Sequence, residues 1–177
     1  MTSLTSRKHA RRLNRLIRYL ELEKVLEIGT SLGISTAYLS IANPGARIIT
    51  LEGCPETSRI AQLNFNELGL KNVDLIEGRF ENTLPEALEK LGSVDLVFID
   101  GNHRRHAVME YFDKCLEFAN NDTVIVVDDI HSSKDMEQAW EEARNHPRVT
   151  VSLDLFYSGW IFLRKESSRQ HFRLRYF

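Results

Sequence analysis

Cysteine is scarce in this chain of 177 residues: there are two, Cys54 and Cys115, without metal-ligand spacing. A disulfide framework and a zinc ribbon are both excluded, and the pair reads as reduced thiols of a cytoplasmic protein. No apolar run approaches the roughly 20 residues that a membrane span needs. No apolar segment follows the basic N-terminus, so a secretory signal is not expected. The four prolines, Pro44, Pro55, Pro85 and Pro147, are all isolated. No Pro/Gly linker, internal repeat or low-complexity segment divides the chain, which reads as one domain over 1–177. A large excess of one charge is missing too, since the net charge is −2.

That small net value hides an uneven distribution. Residues 1–20 carry six basic residues and no acid, and residues 164–177 carry five basic residues and one acid. Between them lie 12 basic and 24 acidic residues, a local net of −12. Basic ends on an acidic body suit either nucleic-acid contact or packing on acidic surface of the same or a neighbouring chain. No aromatic-basic stacking pattern runs through the body, which favours the second. The segment 1–22 reads as a basic amphipathic helix over 6–20, with Leu13, Leu16, Ile17 and Leu20 on one stripe. The tail 166–177, "HFRLRYF" at its end, reads as cover for a sheet edge or as a homodimer contact.

What is present is a regular alternation. Apolar runs at 24–28, 47–51, 73–76, 94–99 and 123–127 are separated by helical patterns at about 34–42, 55–68, 83–91, 105–119 and 133–145. Strands alternating with helices imply right-handed βαβ crossovers and a parallel sheet buried on both faces. "RVTVSLDLF" and "SGWIFLRK" then read as a hairpin turning at Tyr157-Ser158-Gly159. The expected architecture is α/β, a three-layer Rossmann-like sheet of about seven strands, mostly parallel, with an antiparallel C-terminal edge hairpin.

The first strand runs into "LEIGTSLGIST", residues 26–36. A carboxylate, Glu27, lies inside an apolar run, and Gly29 and Gly33 follow. Glycine allows a sharp turn and close approach of a ligand to the backbone. In open parallel sheets the ligand lies beyond the carboxyl ends of the strands. Three readings compete. A dinucleotide site needs G-x-G-x-x-G, which is absent. Gly29-Thr30-Ser31-Leu32-Gly33 satisfies the G-x-S-x-G hydrolase elbow, but that elbow normally follows several earlier strands. The spacing E-x-G-x-x-x-G instead suits an S-adenosylmethionine site, whose ligand has no phosphate and carries a cation that tolerates a nearby carboxylate. Later strand ends continue the pattern. Glu52 in "LEGCP" stands where an acid can accept from both ribose hydroxyls, with Gly53 and Cys54 beside it. Gly78-Arg79-Phe80 ends the third strand, Asp100 the fourth, and Asp128-Asp129 the fifth. Loop solvation and helix capping explain any one of these polar residues, but not all five together.

On these residues the chain resembles the class I S-adenosylmethionine-dependent methyltransferases, and within them the catechol-type and caffeoyl-CoA-type O-methyltransferases, over about residues 22–165. The resemblance implies an enzyme that methylates an oxygen of a small-molecule acceptor. It assigns Glu27, Gly29, Thr30, Ser31, Gly33 and Ser35 to the methionine and ribose side of the cofactor. It assigns Glu52, Gly53 and Cys54 to the ribose and its neighbourhood, Gly78, Arg79 and Phe80 to the adenine, and Asp100 to the methionine end. That branch binds a divalent cation through an acid after strand four and a pair after strand five. Asp100, Asp128 and Asp129 match these positions, and hard oxygen ligands suit Mg²⁺, or Mn²⁺ or Ca²⁺. The competing role for Asp128 and Asp129 is capping of the next helix. The branch carries a lysine base three residues after the first metal acid; this chain has His103 there. Histidine can act as a base near neutral pH, so Asp100 and His103 are the catalytic candidates and His131 is a second candidate base. Trp140 and Trp160 read as core.

Methylation of nucleic-acid amino groups is disfavoured, since no Asn/Asp-Pro-Pro-aromatic loop exists, and carbon-5 pyrimidine methylation lacks its Pro-Cys loop. An RNA-directed enzyme, working through the basic ends, stays open. So does a cofactor-binding module without activity, because only about 23 residues precede the first strand.

Overall fold

The structure, a computed structural model, describes residues 7–175. Its elements alternate as the hydropathy pattern implies: α1 (Arg7–Leu20), β1 (Lys24–Ile28), α2 (Ile34–Ala42), β2 (Arg47–Glu52), α3 (Pro55–Glu67), β3 (Val73–Glu77), α4 (Phe80–Leu91), β4 (Val94–Ile99), α5 (Arg105–Phe118), β5 (Ala119–Asp128), α6 (Lys134–Asn145), β6 (Val151–Asp154), β7 (Ser158–Phe162) and β8 (Gln170–Arg173). The expected first helix began at residue 6, which lies outside the described residues, as do residues 1–5, 176 and 177. Two compact units are present, one running to Gly92 and the other beginning at Ser93.

In the first unit β1 pairs in parallel with β2, and β2 with β3. Val25, Leu26, Ile28, Ile48, Ile49 and Leu51 are fully buried. Continuous apolar runs of this kind belong to strands covered on both faces. The parallel register brings the carboxyl ends of β1, β2 and β3 to the same side, with Ile28 opposite Leu51 and Glu52 opposite Glu77. α1 buries Ala10, Leu13, Leu16 and Ile17 and packs on α2, where Asn14 donates to the Tyr38 carbonyl at 2.8 Å.

α4 begins at Phe80, three residues before the pattern predicts. The chain closes an earlier turn on Arg79, whose carbonyl accepts from the N–H groups of Asn82 and Thr83.

In the second unit β4 and β5 are parallel, β7 is antiparallel to both β5 and β6, and β8 is parallel to β6. β8 is the strand beyond the seven expected: part of the basic tail pairs along β6. Phe156, at φ 73°, lies between β6 and β7, where Leu155 N–H donates to the Ser158 carbonyl. Gly159 therefore lies in β7 rather than in the turn. Its cause is packing: a Cβ there would be 2.3 Å from Cζ3 of the buried Trp140. Trp160 is also buried.

Candidate active site

The first βα junction is held by carboxylates and hydroxyls. Glu27 is completely buried on β1, and its Oε2 accepts from the Thr36 hydroxyl at 2.5 Å and from the Thr50 hydroxyl at 2.7 Å. Thr50 also bonds Thr30 through its Oγ1 at 2.6 Å. A buried carboxylate must be hydrogen-bonded to be tolerable, and here the bonds tie β1 to β2 and to the first turn of α2. Thr36 and Thr50 escaped the sequence reading; their signal was a hydroxyl residue within the apolar run of β2 and one just inside the helix that follows β1.

Between them the backbone turns sharply. Gly29, Ser31 and Gly33 all have positive φ, of 104°, 50° and 80°. The N–H groups of Gly29 and Thr30 both donate to the Leu51 carbonyl at 3.0 Å. Gly33 is required twice over: an L side chain is strained at its φ, and a Cβ would lie 2.3 Å from Cε1 of Phe65. Ser35 is buried in the first turn of α2.

Glu52 ends β2 and reaches both flanking loops. Its Oε2 accepts the Ser31 N–H at 2.9 Å and its Oε1 the Cys54 N–H at 3.0 Å. A carboxylate offers about four acceptor directions, so two remain after these bonds. Glu52 also accepts the Gly78 N–H through its backbone carbonyl at 2.9 Å, which brings the β2 and β3 loops together. Gly53 faces the Gly78 carbonyl, at 3.8 Å from where a Cβ would sit. Cys54 is exposed, and its thiol donates to Glu56 Oε2 at 3.2 Å. Arg79 is largely exposed and lies 3.5 Å from Glu81, and Phe80 is half-buried at the start of α4. The structure thus brings Glu27, Gly29, Thr30, Ser31, Gly33 and Ser35, Glu52 to Cys54, and Gly78 to Phe80 to the carboxyl ends of three adjacent strands.

In the second unit, acids cluster at the carboxyl ends of β4 and β5. His103 Nε2 lies 3.4 Å from Asp100 Oδ1, and His103 Nδ1 lies 3.5 Å from Asp129 Oδ2. The hydrogen bond to Asp100 raises the His103 pKa above its ordinary value, against the opposing effect of burial. Burial, together with the charges of Asp100 and Asp129, pushes the Asp128 carboxyl well above the usual carboxylate range. Asn102, at φ 63°, donates through Nδ2 to the Tyr111 hydroxyl at 3.1 Å, which holds the loop carrying His103. Asp128 and Asp129 do not cap α6. Ser133 does, accepting the Met136 N–H at 3.2 Å. His131 stands apart from the trio of acids: its Nε2 is 3.1 Å from Asp154 and its Nδ1 is 3.4 Å from Glu137. Asp154 in turn accepts from Arg173 Nε at 2.9 Å. Among the described residues no group of three His, Cys, Asp or Glu side chains is disposed to hold a metal ion.

Residues 26–130 match the family described as "Methyltransferase domain". The chain belongs to that methyltransferase family. The chain is 33% identical over 121 residues to a catechol O-methyltransferase of Niastella koreensis, an alignment covering 67% of this chain and 54% of that one. It is 34% identical over 113 residues to a catechol O-methyltransferase of Mycobacterium tuberculosis, covering 63% and 50%. The chain spans about half the length of the curated relatives it matches. The solved structure of an O-methyltransferase from Bacillus cereus, described in complex with SAH, superposes with a TM-score of 0.78 at 25% identity, covering 91% of this chain and 82% of that one. The resemblance to class I methyltransferases and the expected α/β architecture are borne out by these matches. Among the described residues no helix is long and apolar enough to cross a membrane.

Proposed function

We propose that the chain transfers a methyl group from S-adenosylmethionine to the oxygen of a small hydroxylated acceptor. The observation that carries this reading is the His103 imidazole set between Asp100 and Asp129, next to the buried Asp128. S-adenosylmethionine, when bound, supplies a methyl on a sulfonium that becomes a neutral thioether on transfer. Glu52 accepts from the ribose hydroxyls with the acceptor directions that Ser31 and Cys54 leave open. The backbone of Gly29 to Gly33 follows the methionine portion, and Arg79 and Phe80 flank the adenine. His103 would be the base to which the acceptor hydroxyl gives up its proton on methylation. Asp100 and Asp129 orient the ring and stabilise the imidazolium that results.

Asp100, Asp128 and Asp129 offer the hard oxygen donors that a divalent cation such as Mg²⁺ takes, although among the described residues no three such side chains are disposed around one ion. Three like charges in a partly buried site raise one another's proton affinity, and a cation relieves that repulsion. Bound there, it supplies Lewis acidity that lowers the pKa of the acceptor hydroxyl. A second reading rests on His103 alone: the imidazolium formed when it takes the acceptor's proton is balanced by Asp100 and Asp129 without a metal.

A methyl-release assay over catechols and other hydroxylated acceptors, with and without EDTA, separates the two. Loss of turnover in EDTA, restored by excess Mg²⁺, supports the metal; full activity in EDTA supports the imidazolium. His103→Ala is expected to lower turnover while leaving the affinity for S-adenosylhomocysteine near that of the unaltered chain. Equal loss of both sinks the base role.

A further inference from the structure

The exposed side of α1 is a stripe of uncompensated positive charge. At about 100° per residue, Arg7, Lys8, Arg11, Arg15, Arg18 and Tyr19 fall within an arc of about 120°. All six are exposed, and Tyr19 is 86% exposed. The helix carries no acid, and among the described residues none of the five cations forms an ion pair. These five exposed cations are therefore not neutralised by acids of the described residues.

We propose that α1 is a docking helix for RNA, with the cations on backbone phosphates and Tyr19 stacked on an unpaired base. The inference does not depend on which acceptor the enzyme methylates. Four of the five cations are arginine, whose planar fork donates two parallel bonds to a phosphate, where lysine acts as a point charge. Arg7, Arg11, Arg15 and Arg18 follow one another along about 16 Å of helix. At about 3.4 Å per phosphate along a helical strand, that length faces about five phosphates. An exposed aromatic beside arginines is the arrangement that binds single strands by stacking. Residues 21–163 carry a net charge of −12 and repel the same polyanion, which disfavours binding away from the basic ends.

Other partners fit less well. Ala10, Leu13 and Ile17 are completely buried. The helix therefore has no apolar face to insert into a lipid surface, as an interfacial helix needs. A second copy of the chain needs an interface core depleted of charge, and this face offers almost only charge.

The test is fluorescence anisotropy of the full chain with a labelled single-stranded RNA of about 20 nucleotides, titrated at several salt concentrations. Four to five phosphate contacts give an expected slope of about −3 in log affinity against log salt. The triple variant R11A/R15A/R18A is expected to bring the slope to about −1 and to weaken binding at least about thirtyfold at about 50 mM salt. Its thermal midpoint should stay near that of the unaltered chain, because the three side chains are exposed. Tyr19→Ala is expected to weaken single-stranded RNA about tenfold and to leave duplex RNA unchanged. Absence of RNA binding, or an unchanged slope in the triple variant, overturns the proposal. So does equal or tighter binding to phosphatidylserine vesicles, or self-association that the triple substitution abolishes in a chain that does not retain RNA.

Discussion

Replacing Glu52 by glutamine keeps its shape and removes one acceptor oxygen. In the unaltered chain Oε2 takes the Ser31 N–H at 2.9 Å and Oε1 the Cys54 N–H at 3.0 Å. In Glu52→Gln one of these donors meets an NH₂ group. A hydrogen bond to a charged group contributes about 1.5–3 kcal/mol. Glu52 is half-buried, so the lower part of that range applies, and a stability loss of about 1–2 kcal/mol is expected in urea titrations. The ligand loses more. Only one ribose hydroxyl can then donate to an acceptor at this position, and losing a charge-assisted bond of that size weakens S-adenosylhomocysteine by roughly 10- to 150-fold in calorimetry. Distortion of the loops alone could also weaken binding, so the ligand is varied as well. A 2′-deoxy analogue should bind the unaltered chain poorly and lose little further in Glu52→Gln, giving a coupling energy of at least about 1 kcal/mol. If the variant is destabilised as expected yet the two changes add without coupling, Glu52 only ties the two loops and does not hold the sugar.

Gly33→Ala is expected to cost about 2–5 kcal/mol in urea unfolding. Left-handed backbone at φ 80° and a Cβ 2.3 Å from Phe65 Cε1 both contribute. Adding Phe65→Leu should recover part of that loss, and strict additivity would count against the clash. His9 is buried on α1, and desolvation, with Arg12 nearby, lowers its pKa to about 4. Its folded pKa lies below the unfolded value near 6.5, so the unfolded chain binds the proton first. The stability tied to neutral His9 is present above pH 6.5 and is lost progressively as pH falls towards 4, by about 3 kcal/mol in all. Across that window His9→Leu should show a flatter stability profile than the unaltered chain. Ser133→Ala should lower stability by about 1 kcal/mol through loss of the α6 cap, with no change in turnover.

Much of this fold was legible because parallel, two-face-buried strands leave a local signature. The runs at 24–28, 47–51 and 94–99 return as β1, β2 and β4 within a residue, since a strand covered by helices on both sides must be apolar throughout. What misled was residue type read without its neighbours. The helical pattern suggested that α4 starts at about residue 83, yet Arg79 closes an earlier turn. Gly159 suggested a turn, yet it lies in β7 under the Trp140 ring. β8 went unread because an exposed edge strand of four residues has no buried face and so no period-two pattern.

The candidate site divides in the same way. Chain order alone placed Glu27, Gly29, Gly33, Glu52, Asp100, Asp128 and Asp129 at strand ends, because the carboxyl end of a strand is set by where its apolar run stops. Which side chains meet across different strands is a long-range matter that no local pattern carries. Only the folded chain brings Thr36 and Thr50 to Glu27, joins Glu52 to two loops, and sets His103 rather than His131 between Asp100 and Asp129. Hydrophobic burial is read along the chain residue by residue, whereas these hydrogen bonds and ion pairs depend on ångström distances between residues as much as 26 positions apart, and those distances exist only once the strands have paired.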